Sequence, residues 1–373
     1  MKHHDYSDLI RPGVAGLVPY TPGQPIEQLE RTLGISDAIK LASNENPLGP
    51  SPKARAAMEH HLDTLNVYPD ADGFELKQRL AQRHGLPPEC ITLGNGSNEL
   101  LILLAQVFLS EQTSAVFSQY GFAVYPIVTQ MMGANALVVP AHNLDHPMAL
   151  GHDLRAMYAA IEPTTRVVFV ANPNNPTGTW LQRDRLHDFI ASLPPQVICV
   201  VDEAYTEYCE PEEVGDAASW VPSFPNLVVT RTFSKAYGLA GLRIGYALSN
   251  PGVADMLNRV RPTFNVNALG LVAARAALDD DDFLIQSKNI NRAGLAQLEE
   301  GLKALGLAYT PSKANFVLTH FDRPAQGLAD RLAHFGVIVR PVANYGLPNA
   351  LRISVGTQEQ NSRCLDALGQ CLA

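Results

Sequence analysis

One lysine in this chain stands where it could bond covalently to a carbonyl compound. Residues 229–246 read VTRTFSKAYGLAGLRIGY: Lys235 lies in a Ser-Lys step behind an apolar run (Leu227, Val228, Val229), and Arg243 follows eight residues on. A strand ending at Thr232 brings Thr232, Ser234 and Lys235 to the carboxyl edge of a parallel sheet, the edge where open α/β folds place their ligands. There the amine of Lys235 can form a Schiff base with an aldehyde. The hydroxyls of Thr232 and Ser234 and the fork of Arg243 can hold a phosphate dianion beside it.

Other strings add complementary chemistry. In VDEAY (Val201 to Tyr205) a buried strand over Val197 to Val201 puts Asp202 at its carboxyl end. A carboxylate there can face a ring nitrogen and keep it protonated, which makes the ring an electron sink. GNGSNE (Gly94 to Glu99) follows the apolar run Cys90 to Leu93 and opens a helix. The backbone amides of Gly96, Ser97 and Asn98 at that helix start suit a phosphate, helped by the helix dipole. In NPNNPTG (Asn172 to Gly178) the prolines fix a loop whose amide side chains donate without adding charge. Two later arginines, Arg340 and Arg352, offer guanidinium forks that fit a phosphate or a carboxylate.

In this order, and with ALRISVG at Ala350 to Gly356 closing the series, the strings resemble the pyridoxal-phosphate (PLP) aminotransferases of the aspartate aminotransferase fold. The resemblance runs from about Tyr20 to Arg352 and is strongest to the branch that acts on histidinol phosphate. It implies that Lys235 holds PLP and shuttles the proton, that Asp202 faces the pyridine nitrogen, and that Tyr205 and Asn175 donate to the ring oxygen. Gly96, Ser97, Asn98, Thr232, Ser234 and Arg243 are implied around the cofactor phosphate. An aromatic ring should stack on the pyridine; SQYGFAVYP offers Tyr120 and Phe122, and the count back from Gly133 favours Phe122, where the family more often has tyrosine. Tyr68, in LNVYPDADG, matches a tyrosine that reaches the cofactor phosphate of the neighbouring subunit, which implies a homodimer with a shared active site.

Substrate residues are implied at Asn44 in ASNENPLGP, Tyr20 in LVPYTPG, Arg340 and Arg352; the last also matches an arginine that binds an α-carboxylate in other members. The implied reaction takes L-histidinol phosphate and 2-oxoglutarate to imidazole-acetol phosphate and L-glutamate, in histidine biosynthesis. An aromatic-amino-acid aminotransferase of the same branch is the alternative, with a PLP-dependent decarboxylase of a phosphorylated amino acid behind it. A PLP-carrying regulatory protein without turnover would need a fused DNA-binding segment, for which the chain has neither length nor basic charge.

Composition agrees with a globular enzyme. The 373 residues are 46% hydrophobic and 17% charged, enough for a large core and about two domains. A formal net charge of −9 argues against a nucleic-acid partner, whose binding rests on basic contacts to phosphates. The five cysteines (Cys90, Cys199, Cys209, Cys364, Cys371) have no metal-ligand spacing, so neither a disulfide framework nor a metal site is expected. With no apolar run of membrane length and no leader-like start, a cytoplasmic protein without membrane contact is the expectation.

The elements that must position these groups follow from the apolar runs. Short runs at Ser114 to Ser118, Ala136 to Pro140, Arg166 to Ala171, Gln196 to Asp202, Asn226 to Thr232 and Arg243 to Leu248 alternate with stretches of helical spacing such as Glu99 to Leu109 and Arg183 to Ser192. That alternation predicts an α/β domain with a mainly parallel sheet. The resemblance makes it fold type I of the PLP-dependent transferases, with a seven-stranded sheet and a small α+β domain. Expected boundaries are an arm at 1–46 packing on the small domain, a large PLP-binding domain at 47–260, and the small domain at 261–373.

Overall fold

In the computed structural model residues 6–19 and 23–373 are described. The strands, in chain order, are β1 (Ile39–Leu41), β2 (Ile91–Gly94), β3 (Ser114–Ser118), β4 (Asn135–Val139), β5 (Thr165–Ala171), β6 (Ile198–Asp202), β7 (Leu227–Thr232), β8 (Gly245–Ser249), β9 (Ala308–Thr310), β10 (Phe316–His320), β11 (Val337–Val342) and β12 (Leu347–Ser354). β2 to β8 form a seven-stranded sheet in the order β2-β8-β7-β6-β5-β3-β4, and β1 with β9 to β12 form a second sheet in the order β1-β11-β12-β10-β9. In the larger sheet only β8 runs against its neighbours, β2 and β7.

Why the larger sheet is buried on both sides is visible in β5. Val168 and Val170 point into one apolar layer with Cys199, Val201 and Val229, while Val167, Phe169 and Ala171 point into the other with Val200 and Val228. Side chains alternate with a period of two, so a strand covered by helices on both faces reads as an unbroken apolar run.

Two boundaries differ from expectation. The helix Ala268–Ala277, expected in the small domain, buries Ala273, Ala274 and Ala277 in the same layer as Leu76 and Leu80 of the helix Phe74–His84. Its small side chains let it lie close on the large domain, so we place the division near the start of the long helix Asp281–Ala304. The arm is also split. β1 pairs in parallel with β11, and the helix Ile26–Leu33 packs Leu29 against Ile338 of the second sheet. The helical turn Pro12–Ala15 instead lies on the helix Val124–Met131 of the larger domain, so closely that a Cβ on Gly13 would come 2.2 Å from the Gln130 carbonyl oxygen.

Candidate active site

The carboxyl ends of β2, β5, β6 and β7 meet at one edge of the seven-stranded sheet. Gly94 and Thr232 both pair with Gly245 at the start of the antiparallel β8, and Ala171 pairs with Asp202. Arg243, expected inside a strand, stands just before β8 in a left-handed turn with φ 52°. That turn returns its side chain to the edge. β11 and β12 of the second sheet face this edge, and between them lies a cavity of about 380 Å³.

Into it project Asn44, Ser97, Asn98, Phe122, Asn175, Asp202, Tyr205, Thr232, Ser234, Lys235, Arg243, Arg340 and Arg352, gathered from distant parts of the chain. Four expected residues are not among its walls. Gly96 lies directly behind the cradle, Tyr120 packs near Leu150 and Leu318, and Tyr68 is 79% exposed, stacked on Phe264 at 4.7 Å. Tyr20 lies outside the described residues.

Lys235 donates from Nζ to the Ser43 carbonyl oxygen at 2.9 Å. Burial, with the positive charge of Arg352 behind it, pulls its amine down to a pKa of about 7. A lysine neutral in half its copies near neutral pH is a nucleophile and a proton carrier, which an exposed lysine is not. Asp202 is buried at the end of β6, accepting from Tyr125 Oη at 3.1 Å and from Thr230 Oγ1 at 3.2 Å. Burial raises its pKa to about 6, and the two hydroxyl donors hold it from rising further. Beneath it the neighbouring Glu203 binds Arg231 through Nε at 2.9 Å and Nη2 at 2.6 Å, locking β6 to β7.

The expected phosphate cradle is built from the start of the helix Ser97–Phe108, Thr232, Ser234 and Arg243. Its amides at Ser97 and Asn98 belong to the first turn, where no intrahelical acceptor is available. Gly96 does not add the amide expected of it, because its N–H is taken by the Gly94 carbonyl at 2.8 Å. What it adds is space: at φ +77° a Cβ would sit 2.6 Å from Arg243 Nη2, and one on Gly245 would sit 2.6 Å from the Ser97 nitrogen. Glycines that hold off any side chain, with donors converging on the gap they leave, fit a phosphate that must touch backbone. The residues present therefore fit PLP.

On the opposite wall Arg352 donates Nη1 to Asn175 Oδ1 and Nη2 to the Ala42 carbonyl at 2.7 Å, with its guanidinium carbon 5.2 Å over the Phe316 ring. Its Nε has no hydrogen-bond partner among the described residues. Asn44, expected to touch substrate, has both side-chain polar atoms engaged: Nδ2 donates to Tyr205 Oη at 2.9 Å, and Oδ1 accepts from Ser354 Oγ at 2.9 Å. Tyr205 is held at a pKa of about 12 by burial, against the pull of Arg352, and stays protonated.

Sequence reasoning missed Tyr125, Thr230 and the carbonyls of Ala42 and Ser43. Tyr125 stands inside the SQYGFAVYP string, three residues after Phe122, the spacing of one helical turn, and that was the available signal. For the others there was none, since a carbonyl has no sequence signature.

A mainly parallel sheet with a lysine, a strand-end carboxylate and a phosphate cradle at one edge defines a PLP-type transferase fold, and comparison with known proteins agrees. The sequence model described as "Aminotransferase class I and II" matches residues 36–368, and this chain belongs to that family. More particularly, it is 55% identical over 371 residues to "Histidinol-phosphate aminotransferase 2" of Pseudomonas aeruginosa and 54% identical to the protein of that name from Pseudomonas fluorescens, covering 99% of both chains in each case. Among solved structures it superposes on the histidinol-phosphate aminotransferase of Sinorhizobium meliloti in complex with pyridoxal-5'-phosphate, with a TM-score of 0.88, 30% identity and 97% of each chain covered. A Thermus thermophilus aspartate aminotransferase variant, 23% identical, shares the fold with a TM-score of 0.82, covering 97% of this chain and 99% of its own.

Proposed function

We propose that this chain moves the amino group of L-histidinol phosphate to 2-oxoglutarate with pyridoxal 5'-phosphate as cofactor, giving imidazole-acetol phosphate and L-glutamate in histidine biosynthesis. The observation that carries the reading is that Arg340 and Arg352, cross-strand neighbours, line the same cavity as Lys235 and Asp202. Two guanidinium groups on one wall match a phosphomonoester dianion, as histidinol phosphate carries no carboxylate to occupy either.

Bound PLP supplies a reactive carbonyl and a ring that takes up the charge left when the substrate carbon gives up its proton. The chain's own groups do the rest. Lys235 anchors the cofactor and, once free, carries the proton, for which a pKa of about 7 suits it at physiological pH. Asp202 presents a negative charge to the ring nitrogen, Tyr205 and Asn175 offer donors to the ring oxygen, and Phe122 covers the ring. Ser97, Asn98, Thr232, Ser234 and Arg243 hold the cofactor phosphate, while Arg340 and Arg352 orient the substrate.

We further infer a cytosolic homodimer with shared sites. Tyr68, stacked on Phe264, and its chain neighbours Leu65 and Val67 are exposed apolar side chains, a surface suited to a second copy. The cysteines are all free thiols, as a reducing compartment keeps them.

A donor panel tests the reaction. Purified protein with 2-oxoglutarate should form glutamate from histidinol phosphate at far higher kcat/KM than from phenylalanine or tyrosine. Turnover of the aromatic amino acids without any of histidinol phosphate would overturn the reading.

A further inference from the structure

Asn44 is a tightly constrained polar residue at the cavity. It is buried, it holds a left-handed backbone at φ 56°, and its backbone N–H, backbone carbonyl, side-chain carbonyl and side-chain amino group each make a hydrogen bond within the protein. Its N–H donates to Ser354 Oγ at 2.9 Å and its carbonyl accepts from Asn315 Nδ2 at 3.0 Å, while its side chain joins Ser354 to Tyr205. The side chain thus commits one of its two amide hydrogens to Tyr205 and its carbonyl oxygen to Ser354.

Its partners show what it does. Tyr205 Oη accepts from Asn44 Nδ2, which leaves the phenolic hydrogen for an acceptor elsewhere. On the other side Ser354 lies two residues beyond Arg352 on β12, so the two share one face of the strand. The chain of contacts therefore runs from the strand that carries a substrate arginine to the tyrosine expected at the cofactor.

We propose that Asn44 is a positioning residue, which orients and polarises the Tyr205 hydroxyl toward the cofactor's ring oxygen and ties it through Ser354 to the substrate-binding strand. This rests on the PLP reading given above. A hydroxyl that accepts one hydrogen bond donates the next more strongly, by roughly 10–30%. The charged and titratable groups around this hydroxyl are Arg352 on β12, Asp202 at the end of β6, and Tyr345, with Lys235 Nζ 5.9 Å from the ring centroid. Among the described residues Asn44 is the one whose side chain donates to Tyr205 Oη.

The test reads the holoenzyme's visible spectrum against pH without substrate. Donation to the ring oxygen draws off negative charge. Weaker donation leaves more charge there, and a proton held close to that oxygen is then lost at higher pH. Asn44→Gly deletes the side chain and suits the left-handed backbone; it should raise the spectral midpoint by about half a pH unit, in the direction of Tyr205→Phe. The Tyr205→Phe, Asn44→Gly double variant should show no further rise. Ser354→Ala leaves the amide in place but releases its carbonyl, and should move the midpoint the same way by less.

Unchanged midpoints in both Asn44→Gly and Ser354→Ala, with a raised KM for the amino donor and an unaltered kcat, would make Asn44 a substrate contact and overturn the inference. An additional shift in the double variant would overturn it too, by showing action through some other group. If Asn44→Gly fails to fold, Ser354→Ala decides by the same criterion. A wild-type protein with no cofactor band at all would remove the PLP reading itself, an outcome distinct from a band that the variants leave unmoved.

Discussion

Arg340 and Arg352 stand directly opposite each other across the antiparallel pair of β11 and β12, both buried. Like charges in that relation destabilise a sheet. Arg352 is eased by Asn175, the Ala42 carbonyl and the face of Phe316, yet its Nε is left with no partner among the described residues. On the proposed reading, the pair lines the cavity where the doubly charged phosphate of the substrate would bind, and both guanidinium groups would contact it.

Each arginine should then matter to a similar degree. Arg340→Ala and Arg352→Ala are each expected to cost about 2 to 5 kcal/mol of binding, as for a charged, desolvated contact. In kcat/KM for histidinol phosphate that is a loss of roughly thirtyfold or more. Steady-state kinetics on both variants checks this. An enzyme for aromatic amino acids would instead show a severe Arg352→Ala and a mild Arg340→Ala, because one α-carboxylate needs one fork.

Lys235 gives a prediction in pH. With a folded-state pKa lowered to about 7, its amine is mostly protonated below that value and mostly neutral above it. Capture of PLP by the apoprotein should therefore speed up as pH rises, about tenfold per unit below pH 7, and level off above it, since only the neutral amine attacks a carbonyl. Stopped-flow absorbance would follow it. Lys235→Ala should show neither the near-visible band nor measurable turnover, because anchor and proton carrier are lost together.

What the sequence disclosed and what it hid divide by distance along the chain. Lys235, Asp202 and the Gly96 turn were legible because a strand end or a helix start is a local event, written in a few consecutive residues. The donors that keep Asp202 ionised were not. Thr230 reaches it because β6 and β7 pair with Asp202 opposite Thr230, and Tyr125 reaches it from a helix stacked through Phe169 at 4.8 Å. Register and stacking between distant segments have no sequence signature. For the same reason the run at Gly245–Ser249 did not reveal that it runs antiparallel, and the alanines of Ala268–Ala277 did not reveal which domain they cover.

Asp202 should impose an acidic limit on cofactor binding. Its pKa is raised to about 6, so in the apoprotein the carboxylate is populated above pH 6 and the neutral acid below it. The charge that favours a protonated ring nitrogen is thus present at neutral pH and is lost as pH falls through 6. The apparent Kd for PLP should rise below that point, measured by fluorescence titration across pH 5 to 8. In Asp202→Asn that limb should vanish, the affinity staying low throughout, and kcat should fall by at least about a hundredfold, the lower end of what a lost electrostatic contact to developing charge costs.

Tyr68 is predicted to act on the site of a neighbouring subunit. In the single chain it lies 79% exposed on an apolar surface with Phe264, away from the cavity, although its type and place in LNVYPDADG match a phosphate contact. A tyrosine acting within its own chain would have to be near that cavity; one acting on a second copy would look as this one does. Tyr68→Phe alone should weaken PLP binding by roughly tenfold to a hundredfold, the worth of one hydrogen bond to a charged group. The arrangement is tested by co-refolding Tyr68→Phe with Lys235→Ala. In a mixed dimer with shared sites one site receives both changes and the other neither, so a fraction of wild-type activity should return. Mixtures no more active than the sum of the parents, with dimer exchange verified by mass, would place Tyr68 outside the site.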